Sequence, residues 1–144
     1  MVVLDADHVS LLERDSPAGQ NLRVRLSALE AEVRTTTIIT YEEQTRGWMA
    51  YVARTKTVTE EIEAYSRLMI HLRNYRNIVV LAFDEHAAIE YERLRRSKLR
   101  IGTMDLKIAA IVLANDSTLL SRNLSDFRKI PGLRVEDWTV PREN

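Results

Sequence analysis

Short β-prone runs alternate with longer helical segments along this chain, and that order limits the folds it can adopt. Residues 2–4, 35–39, 78–83 and 117–120 are rich in branched apolar side chains and threonine, so each is predicted to be a strand. Residues 133–135 are predicted to form a fifth strand. Strands that alternate with helices favour an α/β domain, so we expect a mainly parallel central sheet of four or five strands with helices on both faces.

The predicted helices begin at residues that commonly cap a helix. Residues 18–33 are predicted to form one helix, with leucines at helical spacing after Pro17. The other starts are Asp7 before a helix from His8, Thr40 with Glu43 before a helix toward Arg54, Thr57 with Glu60 before a longer helix, Asp84 before a helix to about Ser97, and Gly102 before the helix that contains Asp105.

The bulk composition narrows the class of protein without identifying a function. The chain has 144 residues, the usual size of one domain, so residues 1–140 are predicted to form a single domain and residues 141–144 a frayed tail. Its 21 Lys and Arg balance its 21 Asp and Glu, so overall charge predicts binding to neither nucleic acid nor membranes. The absence of cysteine excludes disulfides, thiolate metal sites and cysteine nucleophiles. With no visible signal peptide and no long apolar segment, we expect a cytoplasmic protein.

Acidic and amide side chains follow three of the predicted strands, and another acid opens a helix. In an open α/β sheet, ligands bind beyond the carboxyl ends of the strands. If the strands are parallel, the groups that follow them share one edge of the sheet, whereas the acid in the helix joins them only for certain strand orders. The residues are Asp5 and Asp7 after the first strand, Glu42 and Glu43 after the second, Asn123 and Asp126 after the fourth, and Asp105 in the helix before the fourth.

Two interpretations of these acids stay open from the residues alone. Each acid taken singly is an ordinary helix cap or first-turn acid, which stabilises a helix by about 0.3–1 kcal/mol. Gathered together, several carboxylates repel one another, raise one another's pKa and require a cation. An all-oxygen set without cysteine favours Mg²⁺ or Mn²⁺, and two such ions can activate a water and stabilise the leaving oxygen of a phosphodiester.

Five segments of the sequence match the motifs of one family. Residues 2–7 (VVLDAD) form an apolar strand followed by Asp, a small residue and an acid, and residues 39–47 (ITYEEQTRG) place a Glu three residues after Thr and a Gly four residues later. Residues 101–110 (IGTMDLKIAA) and 120–127 (LSRNLSDF) match a third and a fourth motif, and residues 130–138 (IPGLRVEDW) match the C-terminal segment. Over nearly its whole length the chain resembles the PIN domain, most closely the VapC toxins of VapBC toxin–antitoxin pairs.

The resemblance implies a three-layer α/β/α PIN-like domain that acts as a metal-dependent endoribonuclease, the toxin of a type II toxin–antitoxin pair. It implies cleavage of RNA phosphodiesters by metal-activated water, with Mg²⁺ or Mn²⁺ as cofactor, and it implies a VapB-type antitoxin and a homodimer as partners. The family's register selects Glu43 rather than Glu42 as the site acid. The implied catalytic residues are Asp5, Glu43, Asp105 and Asp126, and these four together with Asn123 are the implied metal ligands.

Neighbouring residues carry further expectations about the site. The first-turn amides of its helix are expected to fix the Asp105 carboxylate, and the hydroxyl of Thr40 or Ser121 to orient a ligand. Asp7 stands where the family usually has Asn, which adds a negative charge near the metals. Gln44 replaces a common Leu, which is expected to affect packing more than chemistry.

Cations near the site are predicted to hold the RNA backbone, because the acids themselves repel phosphate. The run 92–100 carries five basic residues just before Gly102, and a solvated helix end is its other interpretation. The predicted RNA-binding residues are Arg46, Arg95, Arg96, Lys98 and Arg122.

Apolar side chains on two helices have two possible uses. Trp48, Met49 and Tyr51 follow the second motif on one helix, for which core packing is the simpler interpretation. By the resemblance, that helix and residues 62–75 would instead offer an apolar face to the antitoxin. The histidines are scattered and are assigned no catalytic role; they are His8, His71 and His86.

Two other functions stay open. A haloacid-dehalogenase-type phosphatase also has Asp-x-Asp after its first strand, so Asp5 would be the nucleophile and Asp7 the acid/base. However, His8 and Val9 stand where that family has Gly-Thr, and no paired-acid motif follows a later strand. The non-enzymatic alternative is a catalytically weak PIN-like module that only binds RNA or a partner, because Asn123 at the fourth motif is not ionisable.

Overall fold

The described part of the chain, residues 1–12, 14–29 and 34–141 of a computed structural model, consists of short strands separated by helices. The strands are Val2–Leu4 (β1), Thr35–Thr37 (β2), Val79–Leu81 (β3), Thr118–Leu120 (β4) and Arg134–Glu136 (β5). The helices are Ala6–Leu11 (α1), Pro17–Ser27 (α2), Ile38–Ala53 (α3), Val58–Asn74 (α4), Glu85–Arg96 (α5), Thr103–Ala114 (α6) and Leu124–Phe127 (α7), with a 3₁₀ turn at Tyr75–Asn77. Residues 142–144 of the predicted tail and 30–33 of the predicted helix 18–33 lie outside the described residues.

The strand pairs are parallel, as predicted, but they form two sheets. β4 lies between β1 and β5 in a three-stranded sheet, and β2 pairs with β3. Between β1 and β2 the Thr36 hydroxyl donates to the Leu4 carbonyl at 2.6 Å, in the place where a backbone ladder would otherwise continue. Because β1 and β2 lie side by side, the strands follow one another in the order β3-β2-β1-β4-β5.

Successive residues of β1 and of β4 pack into two separate hydrophobic cores. Val3 and Leu119 pack into one core together with α5 and α6, whereas Leu4 and Leu120 pack into a second core with α1, α2 and Trp138. Side chains alternate between the two faces of a strand, so this division places helices on both faces of the sheet. The expected three-layer α/β/α arrangement is confirmed.

Helix α6 is the most deeply buried helix segment of the first core. Residues 108–112 are all buried, because α6 packs against α5 and also contacts α3 and β4. A helix that is apolar nearly all round belongs in the interior of a domain. The burial of α6 gives Asp105, in its first turn, a rigid support.

Two predicted helix starts are wrong by a few residues. The Asp5 carboxylate accepts from the His8 backbone N–H at 3.0 Å, so Asp5 rather than Asp7 caps α1. The Thr37 hydroxyl accepts from the Thr40 N–H at 3.1 Å, so β2 ends at Thr37 and the predicted capping box at Thr40 lies inside α3. In both cases the side chain at the strand end satisfies a free amide of the first turn. At Thr37 this ends β2 two residues earlier than its β-branched sequence indicates, whereas β1 ends at Leu4 as predicted.

The other predicted caps agree with the structure. Thr57 accepts from the Glu60 N–H and Asp84 from the Ala87 N–H, which confirms both as N-caps. Glu60 returns its bond to the N–H of Lys56 rather than Thr57. Within the described ranges, no helix combines the length and apolar character needed to cross a membrane.

A substitution that would create a cavity in the first core tests the burial of α6. Ile111 is fully buried, so Ile111→Ala is expected to lower the free energy of unfolding by about 2–5 kcal/mol. Ile89 on α5 is 67% exposed, so the matched control Ile89→Ala is expected to change it by less than about 0.5 kcal/mol. Urea denaturation of the three proteins measures both values, and equal losses from the two variants would contradict the packing described above.

Candidate active site

Asp5 is fixed at the carboxyl end of β1 by both its backbone and its side chain. Its N–H donates to the Leu120 carbonyl at 3.0 Å, which extends the parallel pairing of β1 with β4 by one residue. Its Oδ1 accepts from the His8 backbone N–H at 3.0 Å and lies 3.1 Å from the His8 Nδ1. The sheet therefore sets where Asp5 lies, and the start of α1 sets where its carboxylate points.

Glu43 projects from the second turn of α3 toward the same end of the sheet. Burial raises the pKa of its carboxyl, and the charges of Asp105, Asp5 and Glu42 raise that pKa further. The neighbouring Glu42 forms an ion pair with Arg46 one turn later on the helix. The family register is consistent with this arrangement, because Glu43 interacts with the other site acids while Glu42 has its own cation.

Asp105 is half-buried in the first turn of α6. Burial raises the pKa of its carboxyl, and the charges of Asp126 and Asp5 raise the pKa further. Its side chain makes no hydrogen bond to another described residue, so the expectation that first-turn amides fix this carboxylate is wrong. The carboxylate is placed by the burial of its helix and not by a local cap.

Asp126 differs from the other acids because two donors stabilise its charged form. Asn123 Nδ2 donates to Asp126 Oδ2 at 3.1 Å, and Lys129 Nζ lies 3.3 Å from Oδ1. These hydrogen bonds, that of Asn123 first, hold the pKa of Asp126 below its usual value. Asp126 thus keeps its charge, and that charge raises the pKa of Asp105.

Four of the predicted site acids form one electrostatically coupled group in the structure. The charges of Asp105 and Asp5 raise the pKa of Glu43, and the charges of Asp126 and Asp5 raise the pKa of Asp105. Within the described ranges, no three His, Cys, Asp or Glu side chains stand close enough together to form a metal site. Like charges repel, so carboxylates in such a group stand apart until a cation draws them together. Their role as metal ligands stays a prediction.

The two hydroxyls that are predicted to orient a ligand lie inside the protein. Thr40 and Ser121 are both fully buried. The Thr40 hydroxyl lies 3.2 Å from that of Thr37, and the Ser121 hydroxyl accepts from the Asn123 N–H at 3.0 Å. The Ser121 hydroxyl therefore supports the backbone of Asn123, and the Thr40 hydroxyl contacts the side chain that caps α3. Because both are buried, neither is open to a phosphate, and their part in orienting a ligand stays a prediction.

The predicted RNA-binding cations lie on the surface, several of them in ion pairs. Arg46 pairs with Glu42, and Arg95 pairs with Glu92 and lies over the ring of Tyr91. The remaining members are exposed; they are Arg96, Lys98 and Arg122. Contact of these residues with RNA stays a prediction.

Sequence reasoning missed two residues that support the site. His8 is fully buried against Asp5, and its position three residues after Asp5 at a helix start is the signal that could have indicated the contact. Gln44 on α3 is bonded to α1 and to the 3₁₀ turn after α4: it donates to the Ala6 carbonyl at 3.2 Å and accepts from the hydroxyl of Tyr75. Gln44 thus contributes to packing through hydrogen bonds between neighbouring elements.

The sequence is similar to characterised VapC proteins over part of its length, although no protein-family model matches it. It is 36% identical over 63 residues to the tRNA(fMet)-specific endonuclease VapC of Salmonella typhimurium, and the match covers 41% of this chain and 48% of that protein. It is 33% identical over 63 residues to ribonuclease VapC2 of Rickettsia felis, covering 41% of this chain and 47% of that protein. The chain thus spans about half the length of the curated relatives it matches.

The similarity in three dimensions covers nearly the whole chain. A chain of the VapBC-1 structure from nontypeable Haemophilus influenzae matches with a TM-score of 0.70 and 25% identity, over 97% of this chain and 100% of that one. A chain of VapBC2 from Rickettsia felis, bound to a DNA fragment from its promoter, matches with a TM-score of 0.70 and 23% identity, over 96% and 99% of the two chains. The chain therefore has the α/β/α fold of these VapBC-type proteins. Within that class, the resemblance to VapC-type proteins is confirmed.

Carboxylate repulsion makes the stability of the metal-free protein depend on pH. Because the folded-state pKa values of Asp105 and Glu43 are raised, the native state binds protons more tightly than the unfolded chain, and stability is lost as pH rises above their ordinary values of 3.8 and 4.5. Asp105→Asn removes one of these charges and relieves the other acid. We therefore expect the variant to have a higher urea midpoint than the unaltered protein at pH 7, with the difference disappearing toward pH 4.

Asp7→Asn is the matched control for this comparison. Asp7 also lies in the first turn of a helix, so the control reproduces the loss of a favourable interaction with the helix dipole. The Asp7 carboxylate is not among the charges that raise the pKa values of Glu43 and Asp105. If both variants shifted the midpoint alike, or if Asp105→Asn lowered it at pH 7, the proposed repulsion would be absent.

Proposed function

We propose that this chain is a Mg²⁺- or Mn²⁺-dependent endoribonuclease and the toxin of a VapBC-type toxin–antitoxin pair. The observation that carries the proposal is the electrostatic coupling of Asp5, Glu43 and Asp105 beyond the carboxyl ends of β1, β2 and β4. The relatives named as a tRNA-specific endonuclease and a ribonuclease support an RNA substrate.

The donor set fits a hard divalent cation. It consists of carboxylate oxygens from three separate elements, with no thiolate or paired histidine, which is the chemistry that Mg²⁺ and Mn²⁺ prefer. Asp5, Glu43 and Asp105 would hold the cation. Its positive charge would stabilise the ionised forms of Glu43 and Asp105, whose pKa values are raised without it. When bound, the cation would supply charge stabilisation at the phosphate and a water acidic enough to attack it near neutral pH.

Asp126 and Asn123 have complementary parts in this proposal. Asn123 and Lys129 keep the Asp126 carboxylate charged and oriented. Asp126 in turn adds negative charge beside Asp105, which strengthens the attraction of the group for a cation. Asn123 thus acts mainly through Asp126. We also propose that Asp126, Asn123 or both contact the cation directly.

An apolar face on α4 supports the proposed antitoxin partner. Its exposed side chains do not pack into the core; they include Ile62 at 68%, Tyr65 at 57%, Met69 at 49% and Leu72 at 53% exposed. Part of this face lines a pocket of about 310 Å³ between α3 and α4. Apolar surface of this kind commonly marks a protein interface, and similar folds occur in solved VapBC complexes.

Core packing, the simpler interpretation for Met49 and Tyr51 on α3, is wrong, because both side chains are exposed. The homodimer implied by the resemblance is proposed together with the antitoxin partner.

The neighbouring acids Glu42 and Glu43 provide a test with a built-in control. Glu43→Gln is expected to lower the rate of Mn²⁺-dependent RNA cleavage by roughly 10²-fold or more, because a ligand is lost from the charged group. Glu42→Gln is expected to stay within about threefold, because Glu42 already pairs with Arg46. The measurement is cleavage of total RNA with and without Mn²⁺, using protein free of host nucleases, followed by mapping of the cut ends.

That assay, together with assays of phosphomonoester hydrolysis and of RNA binding, distinguishes the functions considered. Loss with Glu43→Gln alone supports the nuclease and the assignment of Glu43. Hydrolysis of a small phosphomonoester without RNA cleavage would favour the phosphatase. RNA binding without cleavage by the unaltered protein would favour the binding module.

The salt dependence of RNA binding tests the cations at the end of α5. In the Glu43→Gln background, which keeps RNA intact, Arg95→Ala with Arg96→Ala is expected to flatten the slope of log Kd against log salt by about 1.4, if each contacts one phosphate of single-stranded RNA. The control pair is Arg73→Ala with Arg76→Ala, exposed arginines at the end of α4. A slope that the first pair leaves unchanged would exclude Arg95 and Arg96 from the RNA path.

A further inference from the structure

His8 is a fully buried histidine with both ring nitrogens in contact with polar groups. Its Nδ1 lies 3.1 Å from Asp5 Oδ1, and its Nε2 accepts from the Trp138 backbone N–H at 3.2 Å. Asp137 Oδ1 lies 3.9 Å from the same Nε2, which is beyond hydrogen-bond distance. The ring therefore joins the start of α1 to the C-terminal segment 137–139.

These contacts select one tautomer of the ring. A backbone N–H can only donate, so the Nε2 that receives the Trp138 N–H carries no proton. The proton must then be on Nδ1, where it points at the Asp5 carboxylate and donates to it. The opposite tautomer would set two donors against each other at Nε2 and leave Nδ1 facing a carboxylate without a proton between them.

This arrangement divides the two oxygens of Asp5 between different tasks. Oδ1 accepts from the His8 backbone N–H and from the His8 ring, at 3.0 and 3.1 Å. Oδ2 makes no hydrogen bond to any residue in the described ranges, so it is the oxygen available to a cation. Two donors on one oxygen also prevent the carboxylate from rotating about its χ2 angle.

The C-terminal segment holds the ring in place. Thr139 donates from its N–H and its hydroxyl to Asp137 Oδ1, at 2.8 and 2.5 Å, and its carbonyl accepts from Asn21 Nδ2 at 3.0 Å. The guanidinium of Arg25 lies over the Trp138 ring, 4.8 Å from its centre. The segment is thus anchored on α2, and its anchoring is transmitted to Asp5 through the His8 ring.

We propose that His8 is a positioning residue that fixes Asp5 so that Oδ2 faces the cation site. An apolar side chain would fill the buried space equally well, but it would leave Asp5 with a single donor and the Trp138 N–H without a partner. Donors that orient a ligating side chain commonly affect metal affinity by about 10–100-fold. This inference rests on the proposed function, because it concerns a ligand of the proposed cation.

Two substitutions separate the two hydrogen bonds of the ring. In His8→Asn the amide nitrogen takes the place of Nδ1 and keeps the donor to Asp5, but the acceptor for Trp138 is lost. In His8→Gln the amide oxygen takes the place of Nε2 and keeps that acceptor, but the donor to Asp5 is lost. Both variants lose one buried hydrogen bond, so a purely structural role predicts equal effects.

The test is titration of each protein with Mn²⁺ by isothermal calorimetry. We expect His8→Asn to bind Mn²⁺ within about threefold of the unaltered protein and His8→Gln to bind about tenfold more weakly or worse. His71→Gln is the control for a buried histidine away from Asp5, since His71 contacts Thr45 instead, and it is expected to leave Mn²⁺ affinity unchanged. Equal Mn²⁺ affinities for His8→Asn and His8→Gln would overturn the inference while leaving the proposed function intact.

The unaltered protein supplies two further outcomes. If it bound no Mn²⁺, the proposed function and this inference would fail together, which distinguishes that case from the previous one. Long-range proton–nitrogen NMR of the histidine rings is expected to show a protonated Nδ1 and an unprotonated Nε2 at His8. A proton on Nε2 would overturn the inference even if the His8 variants failed to fold.

Discussion

Repulsion between carboxylates held at one edge of the sheet is the constraint on which the rest of this structure depends. Asp5, Glu43 and Asp105 come from positions far apart in the chain. Burial raises the pKa of Glu43 and of Asp105, and the charge of Asp5 raises both pKa values further. A flexible scaffold would let such groups move apart into solvent. Here the backbones of two of the acids are fixed, because Asp5 extends the pairing of β1 with β4 and Asp105 begins a helix buried in the core. The carboxylates therefore stay within reach of one another's charge, although in the described residues they stand too far apart to form a metal site without a cation. The cores on both faces of the sheet therefore supply the free energy that keeps like charges near one another.

Donors around the acids decide how each carboxylate is presented. His8 and the first turn of α1 occupy one oxygen of Asp5, and Asn123 with Lys129 holds Asp126 in its charged form. Asp105 and Glu43 receive no side-chain donor from the described residues, and the pKa of each is raised. A cation would thus meet two acids already oriented by hydrogen bonds, Asp5 and Asp126, and two whose charges it alone would neutralise. The buried hydroxyl of Ser121 contributes indirectly, through the backbone of Asn123.

The sequence predicted the class of fold and the membership of the charged group, but not the local geometry around it. The alternation of strands and helices was sufficient for a parallel α/β domain, because few other architectures accommodate that order. Caps at Thr57 and Asp84 were correct, where a single side chain decides the helix start. At Asp5 and Thr37 two candidate caps stand close together, and only the observed hydrogen bonds show which one ends the strand. The partner of His8 lies 130 residues away, at Trp138, so no local pattern could reveal that contact. The Thr36 hydroxyl that bonds to the Leu4 carbonyl between the two sheets likewise joins residues distant in sequence.

The central claim is that Asp5, Glu43 and Asp105 converge on one cation-binding position beyond the carboxyl ends of the strands. Anomalous diffraction from crystals soaked in Mn²⁺ tests this most directly, because the ion itself identifies its ligands. The account predicts an anomalous peak bound by oxygens of these three side chains, with Asp5 contributing Oδ2. A peak at other acids, such as Glu42 or Asp116, together with none among these three, would contradict it.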